Sequence, residues 1–544
     1  MSADFKGAYM ATLRGNFTKR ESGLLVPFRS QPGEDYQGTY GEDAEHLLDI
    51  MQRTGINVLH DLPYGPPDQV GCPYSPVSTY AIDSQRIRLE ALAQAGDLNS
   101  RELDAYYNCV ASGEPANTMR TVKQDLLKCA SENFINNASP ERQQEFNEWR
   151  KREAEWLEPY AAYEVLSALP QNAGKRWQDW ETGKNYSPDL IRSLQQRFGR
   201  DMTAVYYTQW IVEQQTMQYL RYAQALGIEV WTDLPFYVGS QDVWANRNIF
   251  ELNPDGTQIN QGGAPPSATS PIAGQAWGNA TYNYHPESDS QNAAAVIEWW
   301  TKRLRRANKL SLGKVRLDHF IGFAEPYIID ANAPDGSQGW RAPGMGSALF
   351  DRLVQEFGAG MPFYPEDLGT MTEVTPELRD RYGLPSTSLA VRGLTKQLLL
   401  GDYETSVNNP DNVDSRHVIF TGNHDSPTLI HALDKIRASN PREFAGYVDL
   451  LKQRFPDVRL EYTTPSSELA QLETIRVAQS MGRYSIYAAW DVLGTTSVTQ
   501  YNTPNTVGGA NWAWRMDNGD LGTLEQKLPQ LNQKIGDRAL LPVA

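Results

Sequence analysis

The sequence predicts an α/β protein of the (β/α)₈ TIM-type barrel class, with largely helical insertions between the barrel strands. Three observations support this prediction. Short apolar segments of strand length recur along the chain, and segments with helical periodicity lie between them, as the crossovers of a parallel sheet require. Several of the apolar segments end in an acidic residue, and polar side chains at strand ends gather on one face of such a barrel. The chain has 544 residues, of which 40% are hydrophobic, enough for a barrel with insertions.

Eight segments are predicted as barrel strands. In chain order they are Gly23–Phe28, Asn57–Pro63, Ile228–Val238, Lys314–Phe320, Met361–Leu368, Thr387–Arg392, His417–Thr421 and Tyr484–Val492. Residues 1–544 are therefore expected to form a single catalytic barrel. An insertion is expected at about residues 84–225, between the second and third strands, and a smaller one at about 239–300. A division into two or three independent domains stays open.

Charge and cysteine content narrow the class of partner. A formal net charge of −16 argues against a nucleic acid or an acidic membrane, because phosphate binding needs a basic surface. Cys72, Cys109 and Cys129 are too few and too irregularly spaced for a disulfide framework or a zinc site. We expect reduced thiols, no cofactor and no metal. No signal peptide and no run of 18 uncharged apolar residues is recognised, so a soluble cytoplasmic protein is expected, with a plastid not excluded. The oligomeric state is not predicted.

Four predicted strands end in acids. The segment GKVRLDHFIGF places Arg316 beside Asp318, where a permanent positive charge keeps a carboxylate ionised, as a nucleophile requires. The segments MPFYPEDLG, HVIFTGNHD and IEVWTDLPFYV add Glu366, Asp425 and Asp233. Since the C-terminal ends of barrel strands meet at one face, we expect these acids to lie together.

Structural roles are alternatives for several of these residues. Asp318 and Arg316 could form a buried ion pair, and Asp233 could cap backbone donors in a turn. His319 and His424 could be buried histidines, although each adjoins a candidate acid. Asp367 is expected to point away from the site, because consecutive side chains alternate along a strand.

The order of these motifs resembles the α-amylase-type barrels. Within that group the chain is similar to the amylomaltase or disproportionating 4-α-glucanotransferase family. The narrower resemblance extends from about Arg20 to Arg515. It rests on the stretches RESGLLVPFRSQPG, LPYGPPDQVGCPYSPVSTYA, VWANRNIFELNPDG, GQAWGN and DVLGTTSVTQYNTPNTVGGANWAWR.

The resemblance implies a retaining enzyme that transfers α-1,4-glucan segments between maltooligosaccharides through a covalent glycosyl-enzyme. It implies that Asp318 is the nucleophile, that Glu366 is the acid/base and that Asp425 holds sugar hydroxyl groups. An α-glucan hydrolase on the same barrel and a non-catalytic glucan-binding protein are the alternatives.

Seven residues are expected to bind substrate: Arg316, His319, His424, Asp233, Tyr74, Trp277 and Tyr501. Trp277 in GQAWGN is the strongest aromatic candidate, whereas Trp512 and Trp514 are more typical of packing. The chain also departs from the family pattern at the rim of the cleft. Ser267, Ala268 and Thr269 replace an acid and two aromatic residues, and TSLAVRGL lacks the expected Gln and Phe.

Overall fold

The computed structural model describes residues 20–536, except 34, 36, 69, 267–272, 370, 371, 505 and 507. The N-terminal segment read for a signal peptide and the rim residues Ser267, Ala268 and Thr269 lie outside the described residues. Among the helices that the structure describes, none has the length and apolarity to cross a membrane.

The described residues form twelve strands. Numbered in chain order, they are β1 (Glu21–Leu25), β2 (Val58–His60), β3 (Glu229–Leu234), β4 (Asn260–Ala264), β5 (Gln275–Ala280), β6 (Val315–Leu317), β7 (Tyr327–Asp330), β8 (Gly339–Arg341), β9 (Phe363–Pro365), β10 (Ser386–Leu389), β11 (His417–Phe420) and β12 (Tyr484–Ala488). Eight of them form one parallel sheet in the order β10-β11-β12-β1-β2-β3-β6-β9. The predicted (β/α)₈ barrel is confirmed, and each of its strands falls within or beside a predicted segment.

The sheet closes between β9 and β10 through side chains. The Thr387 hydroxyl donates to the Pro365 carbonyl at 2.7 Å, and the Thr387 N–H donates to Asp367 Oδ1 at 2.7 Å. The Ser386 hydroxyl donates to Asp367 Oδ2 at 2.7 Å. Pro365 has no N–H and cannot donate to a strand ladder. We call Asp367, Ser386 and Thr387, with Pro365, the barrel seam.

Helices surround the barrel and fill the long β2–β3 connection. The described α-helices of four or more residues are Glu42–Thr54, Leu89–Gln94, Ser100–Ala111, Ala116–Asn137, Pro140–Ala168, Pro188–Arg197, Gly199–Ala225, Ser240–Ala245, Ser290–Lys309, Ile321–Ala324, Gly346–Phe357, Val374–Arg381, Leu429–Ser439, Pro441–Arg454, Ser466–Gln479, Ala489–Leu493 and Asn518–Gly536, and Gly393–Gln397 is a π-helix. Several helices begin with a side-chain cap. Ser139 and Ser187, for example, each precede the proline that starts a helix, and each accepts a hydrogen bond from a backbone N–H in the first turn of that helix. The division into one barrel with insertions near residues 84–225 and 239–300 is kept as a proposal.

A second, antiparallel sheet was not predicted from the sequence. Its strands have the order β5-β4-β7-β8. β4 and β5 come from the connection between β3 and β6, and β7 and β8 come from the connection between β6 and β9. Two successive barrel loops therefore join into one small sheet, which brings Trp277 in β5 close to the strand-end residue His319.

Two of the predicted strands extend into α-helices. The sixth was expected to reach Arg392, but Ala390–Arg392 is already helical, and the eighth was expected to reach Val492, but Ala489–Leu493 is a helix. In both segments apolar residues continue without a break from the strand into the helix, as Leu389–Val391 and Ile486–Trp490, and periodicity cannot separate a buried strand from a buried helix in such a run.

Candidate active site

The four strand-end acids gather at the C-terminal end of the barrel. Asp233 lies in β3, Asp318 directly follows β6, Glu366 follows β9 and Asp425 lies in the loop after β11. Backbone hydrogen bonds hold these strand ends together: the Asp318 N–H donates to the Leu234 carbonyl at 3.1 Å, and the Glu366 N–H donates to the Leu317 carbonyl at 2.9 Å. The parallel arrangement therefore places acids from distant parts of the sequence in one site.

Asp318 lies beside the buried guanidinium of Arg316. Arg316 Nη1 donates to Asp318 Oδ1 at 3.1 Å and to Asp233 Oδ2 at 2.5 Å. The Asp318 side chain is 25% exposed and remains accessible, whereas Asp233 is almost fully buried. Desolvation raises the pKa of Asp318 to about 6, and the positive charge of Arg316 opposes a larger rise. Asp318 is thus mainly ionised at neutral pH.

Glu366 has a different environment. Its Oε2 accepts a hydrogen bond from the backbone N–H of His319 at 3.0 Å. Desolvation raises the pKa of Glu366 to about 8; Arg316 opposes this rise, and the negative charge of Asp318 adds to it. Glu366 is therefore mainly protonated at the pH at which Asp318 is ionised. The surroundings of the two acids thus favour the ionised form of Asp318 through Arg316 and the protonated form of Glu366 through desolvation and the charge of Asp318.

His319 has an unusual backbone conformation. Its φ of 48° lies in the left-handed region, which a non-glycine residue rarely adopts. This conformation directs the His319 N–H towards Glu366. The imidazole packs edge to face with Trp277, with a centroid distance of 4.8 Å, and its Nε2 atom is buried without a hydrogen-bond partner. Burial lowers the pKa of His319 to about 3, so the ring is neutral.

Asp425 is the most exposed of the four acids, with 44% of its side chain accessible. Its Oδ1 accepts from Asn502 Nδ2 at 2.6 Å, and its Oδ2 lies 3.3 Å from His424 Nε2. Desolvation tends to raise the pKa of Asp425, but His424 and Asn502 outweigh it, and the pKa is lowered. Asp425 is therefore an ionised acceptor at the mouth of the site.

Tyr74 connects two of these groups. Its hydroxyl donates to Asp233 Oδ2 at 2.5 Å and lies 3.2 Å from His424 Nδ1. The rings of Tyr74 and His424 are stacked, with centroids 4.5 Å apart, and Trp512 lies against both at about 6 Å. Arg316, Asp233, Tyr74 and His424 thus form one continuous contact network, which we call the donor wall.

Tyr501 requires a correction. We expected its ring to bind substrate, but the residue is only 1% exposed. Its ring stacks on Trp490, and its hydroxyl accepts a hydrogen bond from Ser30 Oγ at 3.0 Å. Neither ring face is open to a sugar. The neighbouring Asn502, which contacts Asp425, is the polar group that this stretch supplies.

His60, at the end of β2, is a further residue of the site that the sequence did not predict. His60 Nε2 lies 2.5 Å from the Tyr364 hydroxyl, and the residue lines a cavity together with Asp233, Arg316 and His424. Burial lowers its pKa to about 3, so the ring is neutral. The sequence feature that could have indicated His60 is a polar residue inside the largely apolar stretch NVLHDLP. One histidine at a strand end does not, however, indicate that its partner is Tyr364.

A (β/α)₈ barrel that gathers several carboxyl groups at its C-terminal end, one of them hydrogen-bonded to a buried arginine, is typical of enzymes that act on glycosidic bonds. Comparison with known proteins identifies the group. A family model described as 4-alpha-glucanotransferase matches residues 26–521, and the chain belongs to this family, glycoside hydrolase family 77.

Relatives and solved structures agree with this assignment. The chain is 30% identical over 512 residues to the 4-alpha-glucanotransferase of Thermus thermophilus, covering 92% of this chain and 96% of the relative. It is 28% identical over 509 residues to that of Streptococcus pneumoniae TIGR4, covering 92% and 94%. The fold is similar to that of the amylomaltase from Streptococcus agalactiae in complex with acarbose, with a TM-score of 0.84, 22% identity and coverage of 95% and 99%.

Proposed function

We propose that this 4-α-glucanotransferase uses Asp318 as its nucleophile and Glu366 as its acid/base on α-1,4-glucans and maltooligosaccharides. The observation on which the assignment rests is the different surroundings of the two acids at one site. Asp318 accepts a hydrogen bond from the Arg316 guanidinium at 3.1 Å, whereas the Glu366 side chain accepts one from the backbone N–H of His319 and, among the described residues, none from a cation. A retaining reaction needs one ionised and one protonated acid at its start.

In the first half-reaction, Glu366 gives its proton to the glycosidic oxygen while an Asp318 oxygen bonds to the anomeric carbon. The leaving glucan departs with a new 4-hydroxyl group, and the donor segment stays attached to Asp318 as an ester. Positive charge develops on the sugar ring as the bond breaks. Asp425, ionised and accessible, is proposed to bind the hydroxyl groups of that sugar, and these contacts strengthen in the transition state.

In the second half-reaction, Glu366 is a carboxylate and acts as the base. It removes the proton from the 4-hydroxyl of an incoming glucan, whose oxygen attacks the anomeric carbon and displaces Asp318. The product is a new α-1,4 bond, and both acids return to their starting states. Attack by water instead would give hydrolysis, with the same residues in the same roles.

The donor wall is proposed to hold the sugar that becomes attached to Asp318. Arg316 contacts Asp318 by a direct hydrogen bond, and Tyr74 and His424 are connected to Arg316 through Asp233. Trp277, packed against His319, is proposed as an aromatic surface for the glucan, because carbohydrate rings pack well on aromatic faces.

Incubation with maltotriose tests the proposed function. We expect longer maltooligosaccharides to appear together with free glucose, resolved by chromatography or mass spectrometry, because segments move from one chain to another. Asp318→Asn removes the nucleophile and should abolish both products. Shortening of maltotriose without longer products would instead establish an α-glucan hydrolase.

We also propose that the enzyme acts in the cytoplasm. Support comes from Cys72, Cys109 and Cys129, which are free thiols that a reducing compartment preserves. Some relatives have plastid names, such as the chloroplastic/amyloplastic enzyme of Arabidopsis thaliana. Fractionation of the source cells with an antibody against the protein would test this location, and recovery in a plastid or secreted fraction would overturn it.

A further inference from the structure

A small cavity adjoins the donor wall. Its volume is about 10 Å³, and six of the eight barrel strands contribute to its lining. The polar residues of the lining are His60, Asp233, Arg316, Thr387, Asn423 and His424, and the rest of the lining is apolar. Asp318, Glu366 and Asp425, all within the described part of the chain, do not line it. The cavity is therefore separate from the groups that are proposed to form and break bonds.

Two buried polar atoms in this lining have no hydrogen-bond partner among the described residues. They are Oδ1 of Asp233 and Nδ1 of His60, and the two residues are only 3% and 2% exposed. The second oxygen of Asp233, Oδ2, accepts hydrogen bonds from Tyr74 and Arg316. The second nitrogen of His60, Nε2, lies 2.5 Å from the Tyr364 hydroxyl. Because a buried polar atom without a partner is costly and rare, the two unpaired atoms indicate a ligand in the cavity.

The two atoms suit the opposite sides of one water molecule. The His60 ring is neutral, since burial lowers its pKa to about 3, so only one of its nitrogens carries a proton. When the Tyr364 hydroxyl donates to Nε2, that proton is on Nδ1, which becomes a donor into the cavity. Asp233 Oδ1 is an acceptor. A water molecule between them accepts from His60 and donates to Asp233, and a polar cavity of about 10 Å³ is close to the smallest that holds one water.

We propose that this cavity binds one water molecule, which links His60 Nδ1 to Asp233 Oδ1, and that His60 is thereby a positioning residue of the donor wall. The inference rests on the proposed function, because the donor wall contacts the proposed nucleophile. Arg316 Nη1 donates to Oδ2 of Asp233 and to Oδ1 of Asp318. His60 thus acts on the nucleophile through the water, Asp233 and Arg316.

The reason for such a water is the way in which Asp233 is held. The hydrogen bonds from Tyr74 and Arg316 both reach Oδ2. A carboxylate held at one oxygen alone is free to turn about that oxygen, whereas a donor at Oδ1 fixes its plane. The fixed carboxylate in turn holds the Arg316 guanidinium, which donates to Asp318 at 3.1 Å. Since catalysis is sensitive to small displacements of the reacting groups, loss of this support should affect the rate more than substrate binding.

A high-resolution crystal structure of the wild-type enzyme tests the water directly. The structure is determined without ligand and in complex with a maltooligosaccharide analogue that the enzyme does not cleave. We expect density for one water within roughly 3.2 Å of both His60 Nδ1 and Asp233 Oδ1 in both states. Absence of density between the two atoms would overturn the inference. A sugar hydroxyl group in that position in the complex would also overturn it and would assign the cavity to the substrate.

Substitution of His60 tests its positioning role. His60→Leu removes both ring nitrogens, so kcat on maltotriose should fall about tenfold, the size of one lost hydrogen bond, while KM changes less than about twofold. His60→Gln keeps an amide that donates to the water, so most of kcat should return. His46→Leu, at an exposed position of the helix Glu42–Thr54, is the control and should change neither parameter.

The melting temperature of each variant separates positioning from folding. A lowered melting temperature with kcat per folded enzyme unchanged, or equal losses of kcat in His60→Leu and His60→Gln, would overturn the positioning role. The wild-type crystal structure gives the answer if His60→Leu does not fold. Absence of transfer by the wild-type enzyme would remove the proposed function and the positioning role with it, whereas an absent water in an active enzyme would remove only this inference.

Discussion

Glu366 and Asp367 are adjacent acids after the same strand, yet their surroundings differ completely. Glu366 is half-buried at the site, and among the described residues its carboxyl group accepts one hydrogen bond, from the His319 N–H. Asp367 is only 1% exposed at its side chain and is bound by Arg379 at 2.6 Å and by Ser386 and Thr387 at 2.7 Å each. Side chains that follow one another along an extended chain point in opposite directions, so one acid faces the cleft and the other the seam.

This contrast separates an acid used for chemistry from an acid used for the fold. Desolvation without enough compensating hydrogen bonds raises the pKa of Glu366, so that it holds a proton it can transfer. Asp367 has a cation and two further donors, which make a buried carboxylate tolerable and tie β9 to β10. A buried carboxyl group thus becomes reactive when it has few hydrogen-bonding partners and stabilises the fold when it has several.

Substitution of Glu366 should have the largest effect on catalysis. Glu366→Gln removes the transferable proton, and kcat on maltotriose should fall by roughly 10³-fold while the melting temperature stays similar or rises. An α-maltotriosyl fluoride donor does not need protonation of its leaving group, so the covalent intermediate should form and accumulate on this variant. Intact-protein mass spectrometry would detect the added maltotriosyl mass.

The matched control is the double variant Glu366→Gln with Asp318→Asn, which should show no adduct. An adduct that persists without Asp318 would place the nucleophile elsewhere. Full activity of Glu366→Gln on maltotriose would contradict the assignment of Glu366 as the acid.

Substitution of Asp367 should affect the fold instead. Asp367→Ala leaves Arg379 without its buried partner and opens the barrel seam, so the free energy of unfolding should fall by about 3 kcal/mol or more. Asp380→Asn is the matched control, because Asp380 contacts the same arginine at 2.8 Å but is 64% exposed; it should cost less than about 1 kcal/mol. Urea denaturation measures both values. An equal loss in the two variants would show that the seam does not depend on Asp367.

The barrel could be predicted from the sequence because each of its strands and helices is recognisable within a short stretch of residues. Each strand is a short apolar run bounded by polar residues, and helices with clear periodicity separate most of the runs. The strand ends were less predictable at Thr387–Arg392 and Tyr484–Val492, where the apolar run continues into a helix. The small sheet of β4, β5, β7 and β8 was missed because it forms between two separate loops, and no local pattern indicates such pairing.

The acids of the site were found for the same reason, as polar residues that end apolar runs. Their partners were harder to predict, because contact between Tyr74 and Asp233 or between Asn502 and Asp425 joins distant parts of the chain. Tyr501 shows the converse error: it lies next to a residue of the site but packs into the core. A sequence motif locates a stretch near the site without showing which of its side chains face it.

Tyr74 combines a role in the site, like that of Glu366, with a role in holding side chains together, like that of Asp367. Its substitution should have an intermediate effect. Like Asp367, its hydroxyl is hydrogen-bonded to neighbouring side chains: it donates to Asp233 and lies near His424. Unlike Asp367, Tyr74 makes these contacts inside the cleft. Tyr74→Phe keeps the stacked ring and removes these contacts, so kcat/KM on maltotriose should fall roughly tenfold with little change in melting temperature. Tyr462→Phe, which removes a comparable bond to Asp449 on the surface, should change neither. A fall in melting temperature without a fall in kcat/KM would assign Tyr74 to the fold.

The pH profile should show the smallest effect, a displacement of one limb. Asp318 must be ionised, so kcat/KM rises with pH through the raised pKa of about 6; Glu366 must be protonated, so kcat/KM falls through the raised pKa of about 8. Arg392→Gln removes a positive charge that favours the Glu366 carboxylate, so the alkaline limb should move to higher pH by a few tenths of a unit to about one unit. Measurement of kcat/KM from acid to alkaline pH tests this shift, with Lys435→Gln, at an exposed position of the helix Leu429–Ser439, as the control. An alkaline limb that stays in place, or moves to lower pH, would mean that the Arg392 charge does not favour the Glu366 carboxylate, and the contrast between an incompletely compensated Glu366 and a fully paired Asp367 would then need another electrostatic cause.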